Sequence, residues 1–398
     1  LLSTSKLNII GDKNIIYNEN FMPKTNIVKQ IYLIVIFASI NMFYKPDCIH
    51  YRGDIPCLPH KERNLHCNSC DMYQKVSHKI LIIKLGAMGD VIRTTPLVLR
   101  YKKLYPNCKI TWLTLTPDIL PKNDIHEILS FKLESILYIQ ETAWDIAINL
   151  DKEKEAGALL KRVEAKEKYG YILKDGVITP YNELAYHKFE TGMFDDVSKA
   201  NTLSYPEEIF DICGLTYEGE KNLLENHEDK GYTWNFDKTK KIIGLNTGCG
   251  DRWTTRLWSS EKWVGLIKLL QTQNFEVLLL GGKQEDERNI ELQKLTGATY
   301  LGYFSLQQFI NLVYQCDLVV TQVTMAMHIT LGLDKKIVLM NNIFNPYEFN
   351  VKAENGMIVA PEKACKCFYK GSCIDGVSCM ENLSSEKVFE AVLNVISK

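Results

Sequence analysis

Two series of short apolar runs alternating with helix-length stretches constrain this chain more than any other feature. In the first series, strand-like runs at 79–85, 109–115, 135–139 and 144–150 are interleaved with helical patterns at 91–104 and 152–165. In the second, strands read at 241–246, 275–281, 317–321 and 336–341, with helices at 259–273, 285–296, 305–315, 325–333 and 384–397. Buried strands separated by helices predict parallel sheets wound by right-handed crossovers. The region 175–240 between the series is less regular, apart from a helical pattern at 206–213. The expected architecture is α/β, with two Rossmann-like domains facing a central cleft. Ligands of such sheets bind outside the carboxyl ends of the strands, so each half offers its βα loops to the cleft.

The chain's 398 residues, 46% of them hydrophobic, are enough to bury the cores of two or three domains. A formal net charge of −1 argues against a nucleic-acid binder that works by neutralising phosphates. The charged stretch 152–168 reads as a solvated helix face. Residues 1–41 do not match the rest: they are rich in Asn, Ile, Lys and Tyr and show no sustained period. They read as an extension, non-native or disordered, upstream of a start at Met42. The apolar run 31–40 is too short to span a bilayer, which needs about 20 residues. A peripheral membrane or partner contact and a signal peptide are the other readings of that run.

The stretch Lys84-Leu-Gly-Ala-Met-Gly-Asp90 joins the first strand to its helix. Gly86 and Gly89 allow a ligand to approach the main chain. Asp90 is expected to cap the helix and to point into the crevice above the sheet, where a carboxylate can serve as a general base. A plain βα turn with an N-cap Asp fits the same residues.

The loops of the second half suit a nucleotide diphosphate. The run 244–258 is glycine-rich, with hydroxyls and two arginines. Backbone N–H groups and helix N-termini favour phosphate oxygens, and Arg256 can clamp them bidentately. A surface arginine stacked on Trp253 or Trp258 is the plainer alternative. Gly281 and Gly282 end the next strand, with Glu285 placed for a ribose hydroxyl or simply to start a helix. The turn Thr321-Gln-Val-Thr-Met-Ala-Met-His328 opens another helix toward the cleft. Taken alone, His328 is a packing histidine.

Among twelve cysteines, Cys48, Cys57, Cys67 and Cys70 precede the first strand, and Cys365, Cys367, Cys373 and Cys379 precede the last helix. Both segments are turn-rich and weakly apolar, so four thiolates on one metal would supply the stability that burial cannot. Zinc is the default, and iron or an iron–sulfur cluster shares the ligand preference. His50, His60 and His66 lie close enough to replace a cysteine, and disulfides or unligated thiols are the other readings. Cys108, Cys213, Cys249 and Cys316 read as small core residues.

Four features together resemble glycosyltransferase family 9, the heptosyltransferase group. They are the strand–K-x-G-x-x-G-D-V-I-x-T-T-P start at Lys84–Pro96, the N-T-G-x-G-x-R-W-x-T-R-x-W block from Asn246, the Gly-Gly-x-x-Glu turn, and the T-x-x-T-x-x-M-H helix start. The resemblance implies a GT-B fold, a nucleotide-activated donor such as ADP-heptose, and inversion at the anomeric carbon without an obligatory metal. By position, it makes Asp90 the base that deprotonates the acceptor hydroxyl. It puts Thr247 and Arg256 on the diphosphate and Glu285 on the nucleoside. Thr324, Met325 and Ala326 fall where backbone N–H groups meet the phosphates, and His328 is the histidine of the same helix start. Two departures stand out. The family's Asp, Ser or Thr, and Gly are replaced by Val323, Thr324 and Met325. The cysteine clusters are similar to those of the iron-binding autotransporter heptosyltransferases, with a different spacing and an additional N-terminal group.

The expected organisation is therefore an extension at 1–41, a cysteine-rich segment at 42–78, an acceptor domain at 79–238 and a nucleotide-sugar domain at 239–398 carrying the cluster at 365–379. The expected function is cytoplasmic transfer of a heptose or related sugar to a glycan, lipid-linked or protein acceptor, as in lipopolysaccharide biosynthesis. A non-catalytic sugar-nucleotide-binding or assembly protein, homo-oligomeric through metal-pinned ends, is the alternative of another class, and a GT-B-fold epimerase is a third.

Overall fold

The computed structural model describes residues 44–250, 252–363 and 365–398. The reading of 1–41 and of a start at Met42 falls outside them. The chain divides into two compact units, one ending at Lys75 and the other running from Val76 to Lys398. Within the first, helix α1 (Leu58–Arg63) begins on Pro59 and ends on Asn64 in the left-handed region. A single antiparallel bridge from Cys48 to Lys75, with Ile49 N–H donating to Gln74 O at 2.8 Å, closes this segment on itself.

The second unit holds two six-stranded sheets. The first runs β1 (Lys79–Ile83), β2 (Lys109–Thr114), β3 (Glu127–Ser130), β4 (Trp144–Asn149), β5 (Ala165–Lys174) and β6 (Val177–Pro180), in spatial order β3-β2-β1-β4-β5-β6. The second has β7 (Ile242–Asn246), β8 (Glu276–Leu280), β9 (Thr299–Tyr300), β10 (Leu318–Gln322), β11 (Lys336–Met340) and β12 (Gly356–Val359), in order β12-β11-β10-β7-β8-β9. Both orders reverse beside their first strand, β1 against β4 and β7 against β10, and every pairing but β5–β6 is parallel. Two such sheets are the GT-B arrangement, and each reversal opens a crevice at the strand ends.

Strands covered on both faces explain the uninterrupted apolar runs. Ile80 and Ile82 pack with Ile110, Trp112, Ile146 and Ile148 on one face of the first sheet, while Leu81 and Ile83 pack with Leu113 and Ala147 on the other. In the second sheet Ile243 and Leu245 pack with Trp258, Trp263, Val277 and Leu279, and with Val388, Val392 and Val395 of the last helix.

Several expectations need correction. The predicted helix 91–104 is two helices, α2 (Met88–Thr94) and α3 (Pro96–Leu104). Pro96 has no N–H to carry the ladder through, so it starts the second. The predicted strand 135–139 is helix α4 (Leu133–Gln140). Its Ser135 and Ile139 are buried while Leu133 and Leu137 are exposed, a three-to-four-residue alternation that a short apolar run conceals. The strand of that region is β3. Helix α5 (Lys154–Arg162) ends early, and the charged residues beyond it belong to β5. Asp175 and Gly176, both at positive φ, turn β5 back into β6, so the irregular region begins with a hairpin. Helices α6 (Tyr186–Thr191), α7 (Asp195–Ala200) and α8 (Tyr205–Ile212) follow. In the second half α9 (Ser260–Thr272), α10 (Asp286–Thr296), α11 (Leu306–Tyr314), α12 (Met325–Gly332) and α13 (Ser385–Ile396) match expectation, whereas β9 and β12 were too short to read. Among the described residues, no helix is long and apolar enough to cross a membrane.

Candidate functional site

The first crevice is built around a buried ion pair. Lys84 ends β1 and Asp151 follows β4, each only 3% exposed, and their side chains bond directly across the reversal. Lys84 also donates to Gly86 O at 2.5 Å, and Asp151 accepts from the N–H groups of Leu85 and Gly86. Asn149 holds Asp151 from below, through Asp151 N–H to Asn149 Oδ1 and Asn149 Nδ2 to Asp151 O, both 3.0 Å. Burial opposes the ammonium, but Tyr205, Asp151 and Asp90 together outweigh it and hold the Lys84 pKa above the ordinary lysine range. The loop that leads to Asp90 is thereby fixed by charge.

Asp90 lies in the first turn of α2, third in the helix. The N-cap is Ala87, so the expected capping role is not the one it plays. Its side chain, 32% exposed, meets Arg93 Nη2 at 2.8 Å and Nε at 2.9 Å, with Lys84 Nζ 3.9 Å away. Burial pushes its pKa up, but Arg93 and Lys84 more than offset this, and the carboxyl is held below its usual range. Asp90 is therefore a carboxylate at neutral pH. Arg93 stacks on the Tyr205 ring at 3.6 Å and reaches Glu348 of the second half at 2.8 Å. His328 in α12 lies against Gly89, where an added Cβ would fall onto the imidazole. Burial and the neighbouring Arg93 lower the His328 pKa to about 4, so the ring is neutral.

The second crevice is a cavity of about 510 Å³ lined by Arg256, Gly281, Gly282, Glu285, Thr324, Met325 and Ala326, with Phe304, Leu306 and Phe309 as an apolar wall. Arg256, buried, gives its guanidinium to the carbonyls of Cys249 and Trp253 and has no carboxylate partner among the described residues. Burial alone lowers its pKa from the usual arginine value. Its guanidinium also lies over the Phe344 ring at 5.3 Å, and a buried cation held by carbonyls and a ring at a cavity wall suits an anionic ligand. Glu285 accepts from Gly282 N–H at 2.9 Å and lies over Gly248, where a Cβ would collide with it. Thr324 caps α12, its Oγ1 accepting from Ala326 N–H at 3.2 Å and from Asn246 Nδ2 at 3.3 Å.

Two expected contacts are placed differently. Thr247 is buried and its hydroxyl donates to Asn289 Oδ1 at 2.6 Å, so the side chain faces the interior and not the cavity. Val323, where the family has Asp, packs against the apolar cluster of Met327, Ile337, Leu339 and Phe349. Gln322 does not replace that carboxylate. Buried, with its amide turned to suit its neighbours, it donates to the carbonyls of Asn246 and Gly248.

The four-cysteine metal sites expected at both ends are not assembled. Among the described residues, no group of three or more Cys, His, Asp or Glu side chains is drawn together as a metal would require. None of the twelve cysteines is joined in a disulfide. Cys48, Cys57, Cys67 and Cys70 line one small cavity of about 20 Å³ together with His50. In the other cluster Cys367 Sγ lies 3.8 Å from Cys373 Sγ, and the N–H groups of Cys367 and Ile374 point at the sulfurs of Cys365 and Cys367 at 3.3 and 3.2 Å. In the C-terminal cluster the Cys367–Cys373 separation is that of two thiolates on one tetrahedral metal, with the remaining thiols of the loop not drawn into the same set. The N–H···S bonds are nonetheless a donor set that suits thiolates. This loop also grips the turn that carries Arg256 in the second crevice. Ser378 donates to Thr255 O at 2.7 Å, Thr255 donates to Lys370 O at 3.3 Å, and Asn342 bridges Thr255 O and Cys379 Sγ at 3.0 and 3.5 Å.

Lys84, Asp151, Arg93, Glu348 and the Phe304–Phe309 wall escaped the sequence reading. A lysine closing an otherwise apolar strand was the available signal, since a buried ammonium demands a carboxylate from the neighbouring strand end.

Fold and site together define a GT-B glycosyltransferase. The sequence pattern of "Glycosyltransferase family 9 (heptosyltransferase)" matches residues 136–377, and the chain belongs to that family. Comparison with curated proteins by sequence gives no match. Solved structures share the fold at low identity. A glycosyl transferase family 9 protein from Veillonella parvula is 17% identical with a TM-score of 0.62, covering 81% of this chain and 98% of its own. E. coli heptosyltransferase WaaC, solved with ADP-2-deoxy-2-fluoro heptose, is 16% identical with a TM-score of 0.53, covering 79% and 99%. The dodecameric iron-containing heptosyltransferase TibC, solved with ADP-D-β-D-heptose, is 10% identical with a TM-score of 0.52, covering 81% and 77%.

If Arg256 is the diphosphate clamp, Arg256→Ala lowers affinity for ADP by about 10- to 100-fold, the scale of a lost charge-assisted hydrogen-bond pair. Calorimetry checks this, and equal affinity in both proteins would return Arg256 to a packing role.

Proposed function

We propose that the protein transfers a sugar, a heptose or a related one, from a nucleotide diphosphate to a glycan, lipid-linked or protein acceptor, with inversion at the anomeric carbon. The observation that carries this reading is the pairing of two unlike crevices. One presents an ionised carboxylate, Asp90, and the other a buried cation, Arg256, beside the start of α12. An inverting displacement asks for a base at the acceptor hydroxyl and for positive charge or N–H dipoles at the leaving diphosphate. The Phe304–Phe309 wall suits a nucleobase and Glu285 a ribose hydroxyl. A second, polar cavity of about 360 Å³ lies beside Glu348, the other carboxylate on Arg93, between Lys188 and Glu208 of one half and Trp253, Asn345 and Tyr369 of the other. We assign it to the acceptor.

ADP-heptose is the donor we test first, because the WaaC and TibC structures carry it or its fluoro analogue. With Val323 and Gln322 both turned to other duties, a sugar hydroxyl met by the family's Asp has no side chain here, and leaving it unpaired costs about 1–3 kcal/mol. Sugars lacking that hydroxyl should bind more tightly. The free thiols fit a reducing compartment, and we place the reaction in the cytoplasm, where nucleotide sugars are made.

Asp90→Asn tests the chemistry. It should leave ADP affinity nearly intact and cut transfer by about two to four orders of magnitude, while unchanged turnover would remove Asp90 from the mechanism. We further assign zinc or iron to Cys365, Cys367, Cys373 and Cys379, in a structural role that closes the loop on Thr255. Protein purified without added metal should contain it by elemental analysis. Cys367→Ser with Cys373→Ser should release it and lower the melting temperature. Metal-free protein of the same stability would refute the assignment.

A further inference from the structure

Arg93 is a half-buried guanidinium shared between two carboxylates. Its Nη2 lies 2.8 Å from Asp90 Oδ1 and also 2.8 Å from Glu348 Oε1, and the two acids come from opposite sides of the cleft. Glu348 sits in the turn Pro346–Phe349, and its other oxygen accepts from the Tyr369 hydroxyl at 2.8 Å. Tyr369 belongs to the C-terminal cysteine loop, two residues after Cys367, and its N–H donates to Ile343 O at 3.2 Å. A chain of contacts thus runs from the cysteine loop through Tyr369, Glu348 and Arg93 to Asp90.

We propose that Glu348 is a positioning residue that sets the base strength of Asp90 by competing for Arg93, and that Tyr369 in turn regulates how strongly Glu348 competes. This rests on Asp90 being the base. A carboxylate bound by an undiluted guanidinium is a poor proton acceptor, because the neighbouring charge stabilises its ionised form. Glu348 draws part of that charge away. The other groups facing Asp90 are Lys84 from the end of β1, His328 from α12 and Tyr205 from α8, with Asp151 behind Lys84. Of these Lys84 is already paired with Asp151 and His328 is neutral, and Lys188 of α6, which also faces Glu348, is paired with Glu208, so the Arg93–Glu348 contact is the adjustable one. Because Glu348 comes from the donor half, the base is completed only when the two halves meet.

The sign of each effect follows. Glu348→Gln leaves the full Arg93 charge on Asp90, so the Asp90 pKa falls. Tyr369→Phe removes a donor from Glu348, whose carboxylate then pulls harder on Arg93, so the Asp90 pKa rises. The acid limb of the kcat/KM profile reports this pKa in the free enzyme. We expect the limb to move down by about 0.5–1 pH unit in Glu348→Gln, with kcat lower by roughly tenfold, and up by a smaller amount in Tyr369→Phe. ADP affinity, read by calorimetry in both variants, should stay within about twofold and shows that the fold is retained. A structural role alone would lower rate without moving the limb in opposite directions. An unmoved limb in Glu348→Gln, with Asp90→Asn inactive, overturns the positioning role and leaves the base standing. An active Asp90→Asn overturns both. An unmoved limb in Tyr369→Phe alone detaches the cysteine loop from the relay.

Discussion

The Lys84–Asp151 pair is the interaction on which the rest of the site depends. Both charges are out of water, and each is saturated by a second set of partners: Gly86 O for the ammonium, the N–H groups of Leu85 and Gly86 for the carboxylate. Removing either partner would leave an uncompensated buried charge, a loss of about 3–5 kcal/mol. More important than the energy is what the pair holds. It spans the reversal of strand order in the first sheet and sets the path of the loop that delivers Asp90, so the carboxylate proposed as the base is tied to the core.

From that anchor the charges alternate outward. Asp151 binds Lys84, Lys84 approaches Asp90, Asp90 binds Arg93, and Arg93 binds Glu348 across the cleft. The alternation offsets the effect of burial at Lys84, Asp90, Arg93 and Glu348, whereas at Asp151 burial still holds the carboxyl above its ordinary value. Under the proposed function it also separates two tasks: the first half offers negative charge for taking a proton, and the second keeps Arg256 unpaired by any described carboxylate for a leaving diphosphate. The close packing of Gly89 on His328 brings the two helix starts together, which is why glycine stands at that place.

Much of this was legible in the sequence, and the gaps have physical causes. Strands buried on both faces, such as β1 and β7, declare themselves as apolar runs, and Gly86 through Asp90 marks a βα loop by its glycines. The run Leu133–Gln140 misled because one helical turn and one strand bury the same few residues. β5 was hidden by its charged first residues, although Asp175-Gly176 carried the signature of its hairpin. Asp90, Arg256, Glu285 and the α12 start could be named from pattern and the fold brings them to the two crevices, whereas Glu348 and Tyr369 reach Arg93 only through tertiary contact. Thr247 shows the converse: a hydroxyl in a promising loop that the fold turns inward to Asn289. The cysteines were conspicuous, yet spacing says which thiols are near in sequence and not whether they converge.

The most direct test of the account is a crystal structure with an ADP-linked 2-deoxy-2-fluoro sugar, which binds but resists transfer. The account predicts the diphosphate between Arg256 and the start of α12, the base against Phe304 and Phe309, and the anomeric carbon turned across the cleft toward the Asp90 carboxylate. A sugar directed away from Asp90, with the diphosphate elsewhere than Arg256, would contradict it.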